Sequence, residues 1–383
     1  MRNRFWLLLL PLLVVGITTS AWSLDASQFG YPAEKCDPSK GHCVSTIVFT
    51  NTPVPPAPVR LEIYRLSMNE DGTPNTNTLR QLTRDEVSLH GLVVANAFAK
   101  FSPGGKRIVF DSNRNRLPTE PANTSDLFLM KADGQDQRLL TRGSSATWSP
   151  NGKYIAFHAS ASGDGCPVST PPPPPGISGC PIKTDPGAAT WDSDIFIMRV
   201  PDDEDQFAEA PINITNTPGY IEDDPDWSPD GTKIAFTRHL VTDNQQNSVS
   251  AEICILTLET LGVACVTTNA SEERAPAWSP DGTRIAYMCR NPVNGRFEIC
   301  VMNADGTGQT QLTNNALLDG TPTWSPDGAR IVFASGPTTL TSQLWLMGAD
   351  GTGQTQLVDP PVPTGANFLP SWGQLWVGGK GER

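Results

Sequence analysis

Apolar and polar residues alternate along this chain in short runs, each run broken by Gly, Pro or an Asp-Gly pair. The clearest are "DLFLM" (126–130), "DIFIM" (194–198), "EICIL" (252–256), "EICVM" (298–302) and "QLWLM" (343–347). A period of two between turn residues predicts strands rather than helices. A ten-residue unit precedes each run: "FSPGGKRIVF" (101–110), "WSPNGKYIAF" (148–157), "WSPDGTKIAF" (227–236), "WSPDGTRIAY" (278–287) and "WSPDGARIVF" (324–333). In each unit a first strand is expected to end at the aromatic residue. The Pro-Asp-Gly turn follows, with Pro presetting φ and Gly accepting a positive one, and a second strand comes next. The alternating run supplies a third strand. A turn such as "NADGTGQ" then leads to a short outer strand such as "TQLT".

The anchors Phe101, Trp148, Trp227, Trp278, Trp324 and Trp372 are separated by 47, 79, 51, 46 and 48 residues. One repeat of about 48 residues, carrying one insertion of about 31, accounts for that spacing, and strand-only repeats of this length mark a β-propeller. Trp372 opens a last repeat whose remaining strands are supplied by the other end of the chain: "TIVFTN" (46–51), "LEIYRLSMNEDG" (61–72) and "LRQLT" (79–83). The expected fold is all-β, a six-bladed propeller of four-stranded blades over 45–373, closed by pairing of N- and C-terminal strands so that no edge is left open.

The N-terminus differs in character. Arg2 and Arg4 precede an apolar stretch, Phe5 to Gly16, which ends near Ala21-Trp22-Ser23. This is the pattern of a secretory signal peptide over 1–23, shorter than the ~20 apolar residues of a membrane-spanning helix. Residues 24–44 would then be an N-terminal segment and 374–383 a tail, with no membrane span after cleavage. Eight cysteines fall into near neighbours, Cys36/Cys43, Cys166/Cys180, Cys254/Cys265 and Cys289/Cys300, and four local disulfides in an oxidising compartment are expected. A zinc site is the alternative, but no C-x-x-C or nearby His pair supports one. Cys254 and Cys300 occupy the third-strand position that holds Phe128, Phe196 and Trp345 in other repeats, so the staples replace aromatic packing.

The formal charge of −12 becomes −14 once residues 1–23 are removed, which argues against a nucleic-acid partner. No G-x-S-x-G, H-E-x-x-H or phosphate-loop motif occurs. The Asp-Gly turns fail the EF-type ligand pattern and read as turn residues, so no cofactor is expected and a channel-bound cation such as calcium lacks a motif.

What differs between repeats is where function is sought. His158 and His239 lie just past second strands of neighbouring blades, on the face of the second-to-third-strand connections. "YIEDDPDW", with Glu222, Asp223 and Asp224, and "ASEERAPAW", with Glu272, Glu273 and Arg274, read as connections between blades on that same face. They would ring the channel mouth, with Arg238 and Arg290 as counter-charges, and would either hold a cation or basic peptide or form a solvated acidic rim. The insertion at 159–193 contains Pro171 to Pro175 between Cys166 and Cys180, a stiff segment suited to docking or to acting as a lid, or tolerated as a surface loop. The acidic run Asp202 to Asp205 reads as a solvated hairpin tip.

The repeats "WSPDGTKIAF…EICIL" and "WSPDGTRIAY…EICVMNADGTGQTQLT" resemble the propeller repeat of TolB-like proteins, a family that includes the periplasmic component of the bacterial Tol–Pal system, over roughly 45–373, almost all of the chain after the expected leader. The resemblance implies a propeller fold, a periplasmic or secreted location and a protein or peptide partner. It is specific for fold and weak for function, because some peptidases use such propellers as non-catalytic domains. TolB itself carries an α/β domain ahead of its propeller, where this chain has about twenty residues after the expected cleavage point; the disulfides and the insertion also depart from it. The expectation is therefore a monomeric, exported, non-catalytic binding protein using its channel face. The alternatives are a propeller hydrolase or lyase acting on polysaccharide or peptide at the channel mouth, and an envelope scaffold without ligand.

Overall fold

A computed structural model describes residues 43–53, 60–69, 71–84, 93–119, 124–160, 193–201, 209–240, 251–268, 271–338, 341–357 and 365–376. The expected signal peptide, the Cys36–Cys43 and Cys166–Cys180 pairs, Pro171–Pro175 and Asp202–Asp205 fall outside the described residues or, for Cys43, outside the described side chains. Every described strand belongs to an antiparallel meander. The strands are β1 (Cys43–Pro53), β2 (Glu62–Met68) and β3 (Pro74–Gln81); β4 (Asn96–Phe101), β5 (Arg107–Ser112), β6 (Asp126–Lys131) and β7 (Arg138–Arg142); β8 (Ser144–Trp148), β9 (Tyr154–Ser160), β10 (Ser193–Arg199) and β11 (Ile212–Asn213). They continue with β12 (Tyr220–Trp227), β13 (Lys233–Leu240), β14 (Ala251–Thr257) and β15 (Gly262–Cys265); β16 (Glu273–Trp278), β17 (Arg284–Arg290), β18 (Phe297–Asn303) and β19 (Thr310–Gln311); β20 (Leu318–Trp324), β21 (Arg330–Gly336), β22 (Gln343–Gly348) and β23 (Thr355–Gln356); and β24 (Gly365–Trp376).

Four sheets are separate four-stranded blades, ordered β24-β1-β2-β3, β4-β5-β6-β7, β16-β17-β18-β19 and β20-β21-β22-β23. The other eight strands form one sheet, because a single parallel bridge, Ser193 to Ile221, joins the β8–β11 meander to the β12–β15 meander. The expected set of separate four-stranded sheets is thus met in four, and the remaining two repeats are fused. The terminal strands close the architecture: Ile47 of β1 pairs Trp372 of β24 and Val48 pairs Ser371. The inner strands β4, β8, β12, β16, β20 and β24 pack neighbour against neighbour in a closed ring.

Local chemistry explains the meanders. In "WSPDGTR", Asp281 Oδ1 accepts hydrogen bonds from Ser279 Oγ (2.6 Å), the Thr283 backbone N–H (3.0 Å) and Thr283 Oγ1 (2.8 Å), while Gly282 takes φ +71°. These donors hold the Asp281 carboxyl down at about 2. Asp230 and Asp327 repeat the arrangement, so these carboxylates are committed to shaping turns. Packing follows from the last residue of each ten-residue unit. Phe110, Phe157, Phe236, Tyr287 and Phe333, with Phe49 in the closing blade, are the largest fully buried side chains. Each faces the third strand: Phe49 meets Tyr64, Phe110 meets Phe128, Phe157 meets Phe196 and Phe333 meets Trp345. Burying one such ring stabilises the fold by roughly 1.5–3 kcal/mol. Phe236 and Tyr287 instead face Cys254 and Cys300, which form the disulfides Cys254–Cys265 and Cys289–Cys300. The anchor tryptophans tie blades together, Trp148 Nε1 donating to Lys100 O (3.1 Å) and Trp324 Nε1 to Ala277 O (3.0 Å).

Two expectations are corrected by strand length. His158 and His239 stand within β9 and β13, not on loops beyond them, and His239 is only 3 % exposed. Glu222, Asp223, Asp224 and Arg274 belong to β12 and β16, not to connections between blades; Glu272 immediately precedes β16. The cause is a bulge in each inner strand, which lets pairing resume above the anchor residue and continue into segments whose charged composition suggested loops.

Candidate functional site

Each inner strand carries one non-glycine residue with a left-handed backbone, three positions before its anchor aromatic. They are Phe98 (φ 52°), Ser145 (53°), Asp224 (49°), Ala275 (50°), Thr321 (49°) and Leu369 (52°). The ladder slips at the same place, between Ala97 and Lys100, Ser144 and Thr147, Asp223 and Asp226, Arg274 and Ala277, Gly320 and Thr323, and Val48 and Thr50. A repeated bulge of this kind re-aims one residue per strand. In two cases the bulged N–H is satisfied by the preceding repeat: Ser145 N donates to Asp111 Oδ2 (3.1 Å) and Ala275 N to Thr237 Oγ1 (3.1 Å). Asp111, His158 and Thr237 each follow the buried aromatic of their own second strand, so they occupy one position in three successive repeats.

This geometry gathers a polar arc over β5, β8, β9, β12, β13 and β16. Asp111, 4 % exposed, also accepts from Ser144 Oγ, and burial raises its carboxyl to about 8 against those two donors, with the Asp224 charge adding to the rise. Asp224 is raised to about 7 by burial and by the Asp223 carboxylate, opposed by Ser145, Arg274 and His239. Burial also acts on Asp223, but His239, His158 and Arg274 outweigh it and hold this carboxyl below its ordinary value. His239 Nε2 lies 3.3 Å from Asp223 Oδ2, and a quarter of the Asp223 side chain (24 %) remains open. Burial lowers the His158 pKa, with Asp223 opposing. The site thus contrasts an ionised carboxylate with two that titrate near neutrality, a pattern that marks functional sites more often than structural ones.

The other expected site residues form ion pairs beside this arc. Arg238 donates twice to Glu222 Oε1, from Nε (2.9 Å) and from a terminal nitrogen (2.5 Å), and Glu222 is fully buried. Glu272 is held by Arg274 through Oε1 and by Arg290 through Oε2 at 2.8 Å. Asp223, Asp224, His158, His239 and Arg274 are therefore brought together, whereas Glu222 and Arg238, and Glu272 and Arg290, are committed to each other. Asp111, Ser144 and Ser145 were not singled out by sequence. Alignment of "VFDS" with "AFHA" and "AFTR" would have shown Asp111 replacing His158 and Thr237, which is the available signal. Among the described residues no group of three or more His, Cys, Asp or Glu has the geometry to hold a metal ion. No described helix is long and apolar enough to cross a membrane.

A closed ring of inner strands with four-stranded meanders radiating from it defines a β-propeller. Residues 202–371, less than half of the chain, match the family described as the TolB beta propeller domain. TolB from Acinetobacter baumannii superposes with a TM-score of 0.59 at 17 % identity, covering 86 % of this chain and 66 % of that one. A putative TolB from Agrobacterium tumefaciens gives 0.53 at 16 % identity, over 86 % of this chain and 98 % of that one. Kuenenia stuttgartiensis hydrazine synthase gives 0.59 at 14 % identity, over 91 % of this chain and half (50 %) of that one. At these identities the likeness is one of fold. No curated protein matches the chain.

Proposed function

We propose that this chain is an exported, non-catalytic binding protein, a six-bladed propeller that holds a protein or peptide segment in its channel mouth. One observation carries the reading: Asp223, Asp224, His158, His239 and Arg274 come together from successive repeats around the bulged inner strands. Six bulged inner strands, equally placed relative to their anchors, support the blade count, with the fused sheet contributing two blades. The basic-apolar leader and the two described disulfides support export to the periplasm or beyond. An acidic monomer without nucleic acid or cofactor is the form expected to act.

The test is selection from a random-peptide display library, first on the wild type and then on Asp223→Asn and Asp224→Asn. Selected peptides should compete with one another and lose affinity for the channel variants. Peptides that bind all three proteins equally would place recognition elsewhere and sink the reading.

A second reading, a hydrolase or lyase on polysaccharide or peptide, is favoured by the contrast between Asp223 and the raised Asp111 and Asp224, since acid–base chemistry needs carboxyls poised near the working pH. Turnover of a fluorogenic glycoside or peptide panel, abolished in Asp224→Asn, would establish it; absence of turnover across the panel would reject it for those bonds.

A further inference from the structure

Equivalent positions on and beside the bulged inner strands are not alike around the ring. On the β5, β8, β9, β12 and β13 side they are Asp111, Ser145, His158, Asp224 and Thr237. On the β16, β20, β24 and β4 side they are Ala275, Thr321, Leu369 and Phe98, with Met288 of β17 behind them. Phe98, Met288 and Leu369 remain partly exposed on or beside the innermost strands instead of being sealed in a blade core. The Met288 methyl lies against Gly320, where a Cβ would fall 3.2 Å from it. The charged members of this set thus lie on one arc of the ring, and the other arc carries Phe98, Met288 and Leu369 beside Thr321, whose Oγ1 is also a buried atom without a hydrogen bond.

The polar arc has hydrogen-bonding capacity to spare. His158 Nδ1 and Asp223 Oδ1 are buried atoms that no hydrogen bond satisfies, and beside them His239, 3 % exposed, is paired through Nε2 with Asp223 Oδ2. A buried polar atom left in this state costs about 1–3 kcal/mol, which a ligand can recover. The nearby charges of Glu222 and Glu272 are already taken by Arg238, Arg274 and Arg290, so the negative charge still available lies on Asp223 and Asp224. The missing partner must be cationic and rich in donors. A metal ion is a poor candidate, since the described His and acid groups lack ligating geometry. An ammonium or guanidinium group offers three or five donors on a flexible stem and tolerates such spacing.

We propose that the channel recognises a lysine or arginine side chain of a partner peptide, seated against Asp223, Asp224 and His158, with an adjoining apolar side chain packed on Leu369, Phe98 and Met288. The proposal rests on the peptide-binding reading and specifies what that peptide must present. An apolar neighbour to the cation is required because a free cation would leave the opposite arc wet.

The probes are three capped tripeptides: acetyl-Leu-Arg-Leu-amide, its citrulline isostere, and acetyl-Gly-Arg-Gly-amide. Calorimetry on the full chain should show the first binding roughly tenfold or more tightly than either of the others, the loss expected for one charged hydrogen-bonding group. Asp223→Asn should reduce the arginine peptide to the level of the citrulline one and leave the latter unchanged. Leu369→Asn, which suits the left-handed backbone, should weaken Leu-Arg-Leu and leave Gly-Arg-Gly unaffected. Equal binding of arginine and citrulline peptides, or no binding of any probe, overturns the proposal. Library peptides that compete in the channel yet carry no required cation would overturn it too, while leaving the broader peptide-binding reading intact.

Discussion

Asp226 and Trp278 are joined across two inner strands: the Trp278 backbone N–H donates to Asp226 Oδ2 at 2.8 Å. The other oxygen, Oδ1, accepts from Thr147 Oγ1 at 3.2 Å, so one carboxyl links β8, β12 and β16 at the centre of the ring. Thr323 Oγ1 and Trp372 N, 3.4 Å apart, make the equivalent contact further round.

Asp226→Ala should therefore loosen the ring. Two buried donors lose their acceptor, and a loss of about 2–4 kcal/mol is expected from typical costs of unsatisfied buried groups. Urea unfolding followed by tryptophan fluorescence measures it, and Asp226→Asn should recover a large part. A change below about 0.5 kcal/mol would show that the contact is dispensable.

Gly306 sits at a third-to-fourth-strand turn with φ +86°, and a Cβ there would fall 2.5 Å from Val266 O of the preceding repeat. Both the backbone region and the space exclude a side chain. Gly306→Ala should destabilise by about 1–3 kcal/mol, against almost nothing for the same change at Gly104, which has no atom within 4 Å. Paired melting curves decide between them.

The disulfides Cys254–Cys265 and Cys289–Cys300 each span a separation of 11 residues. Chain-entropy estimates give roughly 3 kcal/mol for a loop of this size. Replacing either pair by alanine should lower the urea midpoint, with an added penalty from the space facing Phe236 or Tyr287. Substituting Phe at Cys254 in the Cys265→Ala background should recover part of the loss, because Phe occupies that position in two other repeats. Failure to recover any stability would mean that the staple does more than replace a ring.

Asp111 should give stability a slope with pH. Its carboxyl is raised from 3.8 to about 8, so the folded chain holds a proton that the unfolded chain releases. That contribution is complete below about pH 4 and is lost as pH rises through about 8. Asp111→Asn should flatten the difference in stability between these limits, measured as the wild-type-minus-variant curve. A variant that tracks the wild type at every pH would show that the carboxyl titrates alike in the folded and unfolded chain. Asp224, raised to about 7, should act on binding instead: affinity for a cationic peptide should increase as pH rises through 7, while Asp111, His158, His239, Asp223 and Arg274 face the same space.

The repeat was legible because its chemistry is local. Ser279, Asp281, Gly282 and Thr283 close their turn with hydrogen bonds between residues two to five apart, and Tyr287 is the buried aromatic of the second strand that follows. Pairing of Ile47 with Trp372 was also foreseeable, since an incomplete repeat at one end matched the missing strands at the other. The Cys254 and Cys289 staples followed from spacing and from the aromatic positions they replace.

The site was legible only in fragments. Asp223, Asp224, His158, His239 and Arg274 could be picked out as departures from the repeat, but they were assigned to loops because runs of charge suggest solvent. Sequence by itself determined the strands, the turns, the anchors and the closure, all of which depend on periodicity and short-range bonding. Only the tertiary structure decided that the inner strands bulge at Ser145, Asp224 and Leu369. Only it shows that these bulges bring Asp111 beside Asp224. Those relations join residues from different repeats around a ring, and a sequence has no local pattern that encodes such distances.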